Sequence, residues 1–389
     1  MTWSPFDSKV MEDPGMGHEY LLEQCPVHLY QSSELEFYTL SRYSDLESSL
    51  RDIEVFSSHH GQGPNFSEPA GMLCDPPQHT IYRRLIQPAF SPKSIEALRP
   101  KVIKLTNQLV DDIFSGDGDF DLHDQLAFPL PVIIIAGMLG VPISDLEKFK
   151  LWSDIQVEVM GSGDPEKYRE EQQSFQDYMV THLRKRKKEI EIGEKVDQDL
   201  LTLIAAAKTP DNESIPESDA LSMLNQLLVG GNETTTSLIT NLVWRLLEEP
   251  SRWKMLLDDR SLIGSAIEES LRFDPPVLGL YRNSTAAVSL HDQVIPEGKK
   301  VYMYYAAANR DPDVFENPNV FDICRRPRKH MSFGLGTHFC VGAPTARLEA
   351  EVALEVLLER MPRLSLLGSG ERIKPFFLWG RRKLPCKWR

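Results

Sequence analysis

One cysteine, Cys340, lies in the glycine-rich stretch HMSFGLGTHFCVGAPTARLEA, residues 330–350. A thiolate is a strong ligand for iron, and metal binding removes the proton that a free thiol keeps up to about pH 8.5. A buried thiolate needs N–H donors, and Gly334, Gly336 and Gly342 let backbone N–H groups approach it without a Cβ in the way. The helical pattern that follows also presents a helix N-terminus to the sulfur. The alternative is an inert buried cysteine in a turn.

The loop around Cys340 has the spacing F-x-x-G-x-H-x-C-x-G, with Phe333, Gly336, His338 and Gly342 in its fixed positions. This spacing resembles the haem-binding loop of the cytochrome P450 family. The resemblance implies that Cys340 is the proximal iron ligand of haem b, that Phe333 packs beside the sulfur and that His338 contacts a haem propionate. A proximal thiolate pushes electron density onto the iron and favours O–O cleavage.

A second stretch, LLVGGNETTT, places Gly230 and Gly231 before an acid and an alcohol, Glu233 and Thr234. Two glycines inside a helix cost about 1 kcal/mol each relative to alanine, and a kink or close helix packing is the structural explanation for them. The stretch also resembles the family's oxygen-binding segment. That resemblance implies a local widening of the helix for O2, a water oriented by Thr234 and proton supply through Glu233, and it favours reductive O2 activation over peroxide use. Asn232 departs from the common pattern, which leaves the details of proton delivery open.

Basic side chains recur in two further stretches. His79 and Arg83 lie four residues apart in DPPQHTIYRRLIQPAF and share one helix face, and Arg282 lies in GLYRNST. By resemblance all three contact the haem propionates, which need cationic or N–H partners when they are buried. The alternative is surface charge at the start of a helix.

The segment EESLR carries Glu269 and Arg272 within pairing reach on one helix face. It matches the family's E-x-x-R motif, which implies a structural pair behind the haem together with a later arginine. We expect this third member to be Arg325 of FDICRR, with Arg326 as the alternative. Surface pairs at this spacing are common and weak, so the motif alone is poor support.

The composition restricts the function of the 389-residue chain. A formal charge of −14 argues against a dedicated nucleic-acid binder, which needs a basic face. The five cysteines show no C-x-x-C spacing and favour a reducing compartment, so we expect a cytoplasmic protein. No signal or anchor segment is visible, and the uncharged run at residues 126–143 is interrupted by three prolines. We expect that run to form a buried core helix and not a membrane span.

Helical periodicity dominates the middle of the chain. Ser214 and Glu217 have the spacing of a capping box, and leucines then recur at steps of three and four residues until Pro250. A helix over residues 214–249 would be about 50 Å long and should cross the core. Strand-like stretches are EFYTLS, AAVSLHDQVIPEGKKVYMYYAAA and KPFFLWG. We therefore expect one mainly α domain over residues 1–389, and the resemblance implies the triangular cytochrome P450 fold with a small β-rich region.

The resemblance implies a monooxygenase that hydroxylates a hydrophobic small molecule, such as a terpenoid, a steroid or an aromatic compound, with O2 as co-substrate. The alternatives are an H2O2-dependent peroxygenase and a noncatalytic haem sensor or carrier. Apolar residues near the expected haem face would line the substrate pocket, although each could equally be plain core. They are Met72, Leu73, Leu227, Val277, Leu278 and Phe377, with Gly230 beside them and Phe376 as the alternative to Phe377.

Electrons must come from outside, because no flavin- or ferredoxin-like segment is visible in the sequence. We expect a ferredoxin with a ferredoxin reductase and NAD(P)H, no nucleic-acid or membrane partner, and a monomer. Several basic residues near the thiolate side could attract an acidic ferredoxin, or could equally be structural or ordinary surface charge. They are Arg84, Arg325, Arg326, Arg328, Lys329 and Arg347.

Overall fold

The computed structural model describes residues 3–68, 70–162, 166–209, 211–327 and 329–389. These residues are mainly helical, as the periodicity predicts. The α-helices of the described residues are α1 Ser8–Glu12, α2 Tyr43–Arg51, α3 Gln78–Ile86, α4 Pro92–Phe114, α5 Pro129–Leu139, α6 Leu146–Ser162, α7 Arg169–Glu191, α8 Leu200–Ala205, α9 Glu217–Glu248, α10 Pro250–Asp258, α11 Ile263–Phe273, α12 Tyr305–Ala308 and α13 Ala343–Arg360.

The strands are short and form a minor part of the fold. They are β1 Val27–Gln31, β2 Glu36–Leu40, β3 Phe56–Ser57, β4 Asp119–Asp121, β5 Leu280–Ser284, β6 Val288–Leu290, β7 Gln293–Ile295, β8 Lys300–Met303, β9 Ser365–Leu366, β10 Glu371–Arg372, β11 Arg381–Lys383 and β12 Pro385–Lys387. The largest sheet has the strand order β1-β2-β8-β5-β3, and β2 and β8 are its parallel pair. In this sheet β5 pairs antiparallel with β8, which places Arg282 opposite Val301.

The long central helix is α9, which has 32 residues and a length of about 48 Å. It packs against α5, α6, α10, α11 and α13, so it crosses the core as expected. The predicted capping box is wrong. Ser214 lies in an extended bridge with Lys208, whose Nζ donates to the Ser214 hydroxyl at 3.0 Å, and the helix begins only at Glu217 after Pro216.

The uncharged run at residues 126–143 contains α5, whose residues are apolar on every face and mostly buried. It lies beside α9 and ends at Gly140, which has a φ of 81° that glycine adopts without strain. Within the described residues no helix is long and apolar enough to span a membrane.

The late strand prediction is partly wrong. Strands β6, β7 and β8 form as expected, but Tyr305–Ala308 is a short helix. The stretch KPFFLWG forms turns with a single bridge between Val277 and Leu378. Its aromatic residues are buried in the hydrophobic core, where the ring of Phe376 packs 4.5 Å from that of Phe6, so packing outweighs strand propensity here.

Candidate active site

A cavity of about 290 Å³ lies between α9, the Cys340 loop, the start of α13 and β5. Most of the predicted site residues meet in its wall. These are Met72, Leu227, Gly230, Gly231, Thr234, Val277, Arg282, Phe333, Gly334, His338, Cys340 and Gly342. His79 and Arg83 lie on α3, directly behind His338 and Cys340.

The Cys340 loop is held by its own backbone. The Cys340 N–H donates to the carbonyl of Phe333 at 2.8 Å, which closes the loop and sets the ring of Phe333 near the cysteine. Gly334 and Gly336 have φ values of 69° and 72°, in the left-handed region that favours glycine. A Cβ at Gly336 would lie 2.7 Å from the carbonyl oxygen of Leu50, so this glycine also permits close packing. The glycines therefore determine the backbone conformation of the loop as well as leaving access to the sulfur.

The sulfur of Cys340 lies at the N-terminal end of α13. Burial raises the pKa of the thiol, while the backbone N–H groups of Gly342 and Ala343 and the charge of Arg83 act in the opposite direction. The same N–H groups would stabilise a thiolate once a metal has displaced the proton. A thiolate at this position would therefore have N–H donors already in place.

Four basic side chains gather beside this sulfur. The rings of His79 and His338 lie 4.2 Å apart, and Arg83 and Arg282 flank them. Burial, with the charges of His338 and Arg83, lowers the pKa of His79 to about 4. His338 Nε2 is 3.9 Å from Asp75, too far for a hydrogen bond. In the described part of the chain, His79 Nδ1 and His338 Nε2 have no hydrogen-bond partner, and Arg83 and Arg282 form no ion pair.

This arrangement fits a haem. A buried cation needs an anion and an orphaned imidazole nitrogen needs a hydrogen-bond partner, and the two propionates of a haem would supply both. The residues that would bind those propionates are His79, Arg83, Arg282 and His338, and Cys340 would be the ligand of the iron.

The opposite wall of the cavity is α9. A Cβ at Gly230 would meet nothing within 4 Å, whereas one at Gly231 would lie 3.1 Å from Ile135 Cγ1. Gly230 thus leaves room in the cavity, and Gly231 permits packing on α5. The Thr234 hydroxyl donates to the Gly230 carbonyl at 2.7 Å. Along this stretch α9 is a continuous helix, and the missing side chain of Gly230 leaves space in the cavity wall.

Glu233 faces away from the cavity, towards α6 and β11. Burial, with Asp154 adding to it and Arg382 opposing it, raises the pKa of Glu233 to about 7. Arg382 donates to Asp154 at 2.9 Å, and both side chains are partly exposed. Asn232 is turned to the same side and donates to the Ser153 hydroxyl at 2.8 Å. The side chain of Glu233 therefore extends from α9 towards the partly exposed ion pair of Arg382 and Asp154.

The comparisons with known proteins agree with this geometry. The family model "Cytochrome P450" matches residues 40–366. The chain belongs to the cytochrome P450 family. It is 34% identical to cytochrome P450 107B1 of Saccharopolyspora erythraea over 98% of this chain and 96% of that protein. It is 36% identical to the cytochrome P450 monooxygenase PikC of Streptomyces venezuelae, over 97% and 91% of the two chains.

Comparison with a solved structure shows that the similarity covers the whole fold. The crystal structure of CYP109E1 from Bacillus megaterium in complex with testosterone has a TM-score of 0.86 to this chain, with 29% identity and full coverage of both chains. The protein therefore has the mainly α cytochrome P450 fold. It is a P450 monooxygenase, and its family implies a haem iron cofactor.

The E-x-x-R residues of this P450 form a buried ionic cluster. Arg272 donates to both oxygens of Glu269 at 2.7 and 2.8 Å, and both side chains are fully buried. Arg325 adds a contact at 3.2 Å, and the Asp322 N–H donates to the same carboxylate. Arg326 is exposed, so the structure selects Arg325 of the two candidates. The cluster joins α11 to the chain that leads into the Cys340 loop.

Substitution Glu269→Gln should lower the free energy of unfolding by about 3–5 kcal/mol, because it leaves Arg272 and Arg325 without their buried carboxylate. Urea unfolding followed by circular dichroism measures this loss. The matched control is Asp258→Asn, which removes the exposed pair with Lys254 and should have little effect. An equal stability of Glu269→Gln and the unmodified protein would contradict the structural role.

Some predicted pocket residues lie outside the cavity wall. Leu73 flanks Met72 without lining the cavity, and Leu278 and Phe377 are core residues joined by a backbone hydrogen bond of 2.8 Å. Phe376, the alternative, is also in the core. The wall instead includes residues that no sequence motif indicates. These are Gln62, Phe90, Ile135, Met138, Gln226, Thr235, Leu238, Tyr305, Thr345 and Glu349.

Proposed function

We propose that this P450 uses haem b, O2 and two externally supplied electrons to hydroxylate a hydrophobic small molecule. The observation that supports the proposal is that Cys340, Arg282 and His338 line the same cavity as Gly230 and Thr234. We further propose that residues 1–389 act as one domain in the cytoplasm. The five cysteines are all free, which supports a reducing compartment.

The chain's own residues would hold the cofactor at defined atoms. Cys340 Sγ would ligate the iron, with the N–H groups of Gly342 and Ala343 directed at the sulfur. The haem supplies the O2 chemistry when it is bound. Arg282 is a buried residue of β5 in the five-stranded sheet, and its guanidinium would fix the orientation of the cofactor by binding a propionate.

Proton supply is assigned to Glu233 and Thr234. The Thr234 hydroxyl hydrogen is held by the Gly230 carbonyl, so its oxygen is free to accept a hydrogen bond from water in the cavity. A carboxyl with a pKa near 7 can both take up and release a proton at neutral pH. The Arg382–Asp154 pair beside it is partly exposed and can exchange protons with solvent through water.

The substrate class follows from the wall of the cavity. Apolar surface in the cavity wall comes from Met72, Phe90, Ile135, Met138 and Leu227. Such a lining favours an apolar molecule. The crystal structure of the CYP109E1 relative holds testosterone, which supports the steroid class among the terpenoid, steroid and aromatic candidates.

The experiment is a screen of steroids, terpenoids and aromatic compounds against the haem-loaded protein. Binding near the iron displaces its water and moves the absorption spectrum from the low-spin to the high-spin form. Each hit is then incubated with ferredoxin, ferredoxin reductase and NADPH, and in parallel with H2O2 alone. The proposal expects a hydroxylated product in the first reaction. Product with H2O2 only, or tight binding with no oxidation in either reaction, would overturn it in favour of a peroxygenase or a sensor.

We propose an acidic ferredoxin as the electron donor. Of the predicted contact residues, Arg84, Arg326 and Lys329 are exposed and available. Arg325 is engaged with Glu269 and Arg347 with Glu268, at 2.6 Å, so these two have structural roles instead. Arg328 lies outside the described residues.

The double substitution Arg84→Glu and Arg326→Glu should slow reduction of the haem by ferredoxin about tenfold or more at low salt, because long-range attraction accelerates association. Stopped-flow absorbance measures the rate. The difference should shrink as salt is added, since screening removes the attraction. The control exchanges Arg169 and Lys185, two exposed cations of α7, for glutamate. Equal rates for the two double variants would remove the docking proposal.

A further inference from the structure

Two arginines lie opposite each other in the hairpin of β10 and β11. Arg372 and Arg381 are direct partners across the two strands, so their side chains leave the same face of the sheet. Their guanidinium carbons lie 5.5 and 5.2 Å from the centre of the Trp379 ring, which places both against one side chain. Like charges in directly opposite positions destabilise a sheet. The hairpin arginine pair, Arg372 and Arg381, therefore needs a compensating group.

Arg381 has no anionic partner among the described residues. It is 7% exposed, its Nε has no hydrogen-bond partner, and its guanidinium lies 3.6 Å from the centre of the Trp244 ring. The buried carboxylate of Asp274 is already bound, by Arg245 at 2.6 Å and by Arg310 at 3.7 Å. A guanidinium keeps its proton in a protein. Arg381 is therefore a buried cation that no carboxylate of the described chain neutralises.

Two further N–H donors accompany the Nε of Arg381. Arg372 donates through its Nη atoms to backbone carbonyls of the segment that follows β10, but its Nε is buried without a partner. Trp379 is 2% exposed, and its Nε1–H is likewise without a partner in the described residues. Three buried donors on the two strands and the loop between them thus require an acceptor.

Glu12, the last residue of α1, is the acidic side chain whose charge acts on both arginines. It is exposed and forms no ion pair with either of them. Burial lowers the pKa of Arg372 to about 10, with Arg381 adding to the decrease and Glu12 opposing it. Glu12 therefore leaves the pair uncompensated. Arg372 is partly exposed, so an ion from solvent can reach the pair.

We propose that the hairpin arginine pair and Trp379 form a binding site for a phosphate group. Guanidinium groups bind phosphate through charge-assisted hydrogen bonds. A phosphate group offers at least three acceptor oxygens to the three donors, whereas a carboxylate offers two. The bound anion holds the hairpin against α9, because Arg381 lies on Trp244 of that helix and its backbone N–H donates to Thr240 at 3.3 Å.

The phosphate site is separate from the candidate active site. Arg372, Trp379 and Arg381 do not line the cavity. Trp379 nevertheless connects the two places, since its backbone N–H donates to the Pro276 carbonyl at 2.9 Å and Pro276 lines the cavity. The ligand of this site is therefore not the substrate, and its test requires no turnover.

Isothermal titration calorimetry of the haem-loaded protein with inorganic phosphate, at constant ionic strength, tests the site. We expect one saturable site, and Arg381→Met should weaken binding about tenfold or more because it removes a charge-assisted hydrogen bond. Trp379→Phe, which keeps a ring but loses the N–H, should weaken binding less. The control is Arg363→Met, which removes an exposed arginine. Equal affinity of Arg381→Met and Arg363→Met, or no saturable binding by the unmodified protein, overturns the proposal.

Two parallel titrations identify the ligand chemistry. Methyl phosphate that binds as tightly as inorganic phosphate indicates that the site takes the phosphate group of a larger molecule. Binding of inorganic phosphate alone indicates the free ion, and both results support the site. Acetate presents a carboxylate, and tighter binding of acetate than of either phosphate would contradict the assignment to phosphate.

Thermal unfolding gives a second readout. Without phosphate, Arg381→Met should have a higher Tm than the unmodified protein, because it removes a buried, uncompensated charge. Phosphate at about 100 times its Kd should raise the Tm of the unmodified protein by about 3 °C and should not raise that of the variant. An equal rise in both proteins would be a general salt effect and would contradict the site. A lower Tm of Arg381→Met without phosphate would show that the fold already compensates this charge, and would also contradict the site.

Discussion

Substitution Cys340→Ser should reduce NADPH-dependent hydroxylation below detection, the largest effect expected for this protein. A serine hydroxyl is a far poorer iron ligand than a thiolate and cannot push electron density towards the oxygen side. The backbone donors of Gly342 and Ala343 would remain in place, so the loop should still fold. Product formation and the absorption spectrum of the haem-loaded variant measure the loss.

The control for this substitution is Cys324→Ser. Cys324 is an exposed free thiol, so its loss removes a cysteine without touching the cavity. This variant should keep the spectrum and the activity of the unmodified protein. Hydroxylation by Cys340→Ser at the rate of Cys324→Ser would contradict the assignment of Cys340 as the ligand.

Substitution Glu233→Gln should lower kcat about a hundredfold with little change in KM for the substrate. The amide cannot carry a proton, and general acid–base groups typically contribute factors of about 10² to 10⁴. Glu233 does not line the cavity, so substrate binding should be preserved. Steady-state kinetics with ferredoxin in excess separate the two constants.

The pH profile gives the same prediction a second readout. A folded pKa of about 7 means that the protonated fraction of Glu233 is near one half at pH 7 and falls as the pH rises. The rate of the unmodified enzyme should therefore decline above pH 7, whereas Glu233→Gln should lack this decline. Glu248→Gln, at the surface end of α9, should retain it. An unchanged pH profile in Glu233→Gln would show that another group supplies the proton.

The sequence predicted the site best where the local backbone fixes the positions of its residues. The Cys340 loop depends on left-handed glycines and a backbone hydrogen bond within a few residues, so its shape follows from local sequence. The Glu269–Arg272 pair lies within one helical turn. Its third partner, Arg325, could be predicted only because a family resemblance indicated the region of the chain in which to look for it.

Contacts between residues that are far apart in the sequence were harder to predict. Glu349 lies in TARLEAEVALEVLLERM, where a glutamate every few residues looks like the solvated face of a helix. Only the position of α13 between α4, α9 and α11 buries it. The spacing between Thr345 and Glu349 was visible in the sequence, but this spacing is too common in helices to indicate a shared site. Phe377, with Phe376 as its alternative, was placed in the pocket by its position in the chain, but both side chains are buried in the hydrophobic core.

The measurement that tests the central claim most directly is the absorption spectrum of the reduced, haem-loaded protein with carbon monoxide. The Cys340 assignment predicts the strongly red-shifted Soret band of thiolate ligation, and its loss in Cys340→Ser but not in Cys324→Ser. A band typical of imidazole ligation in the unmodified, folded protein would contradict the account.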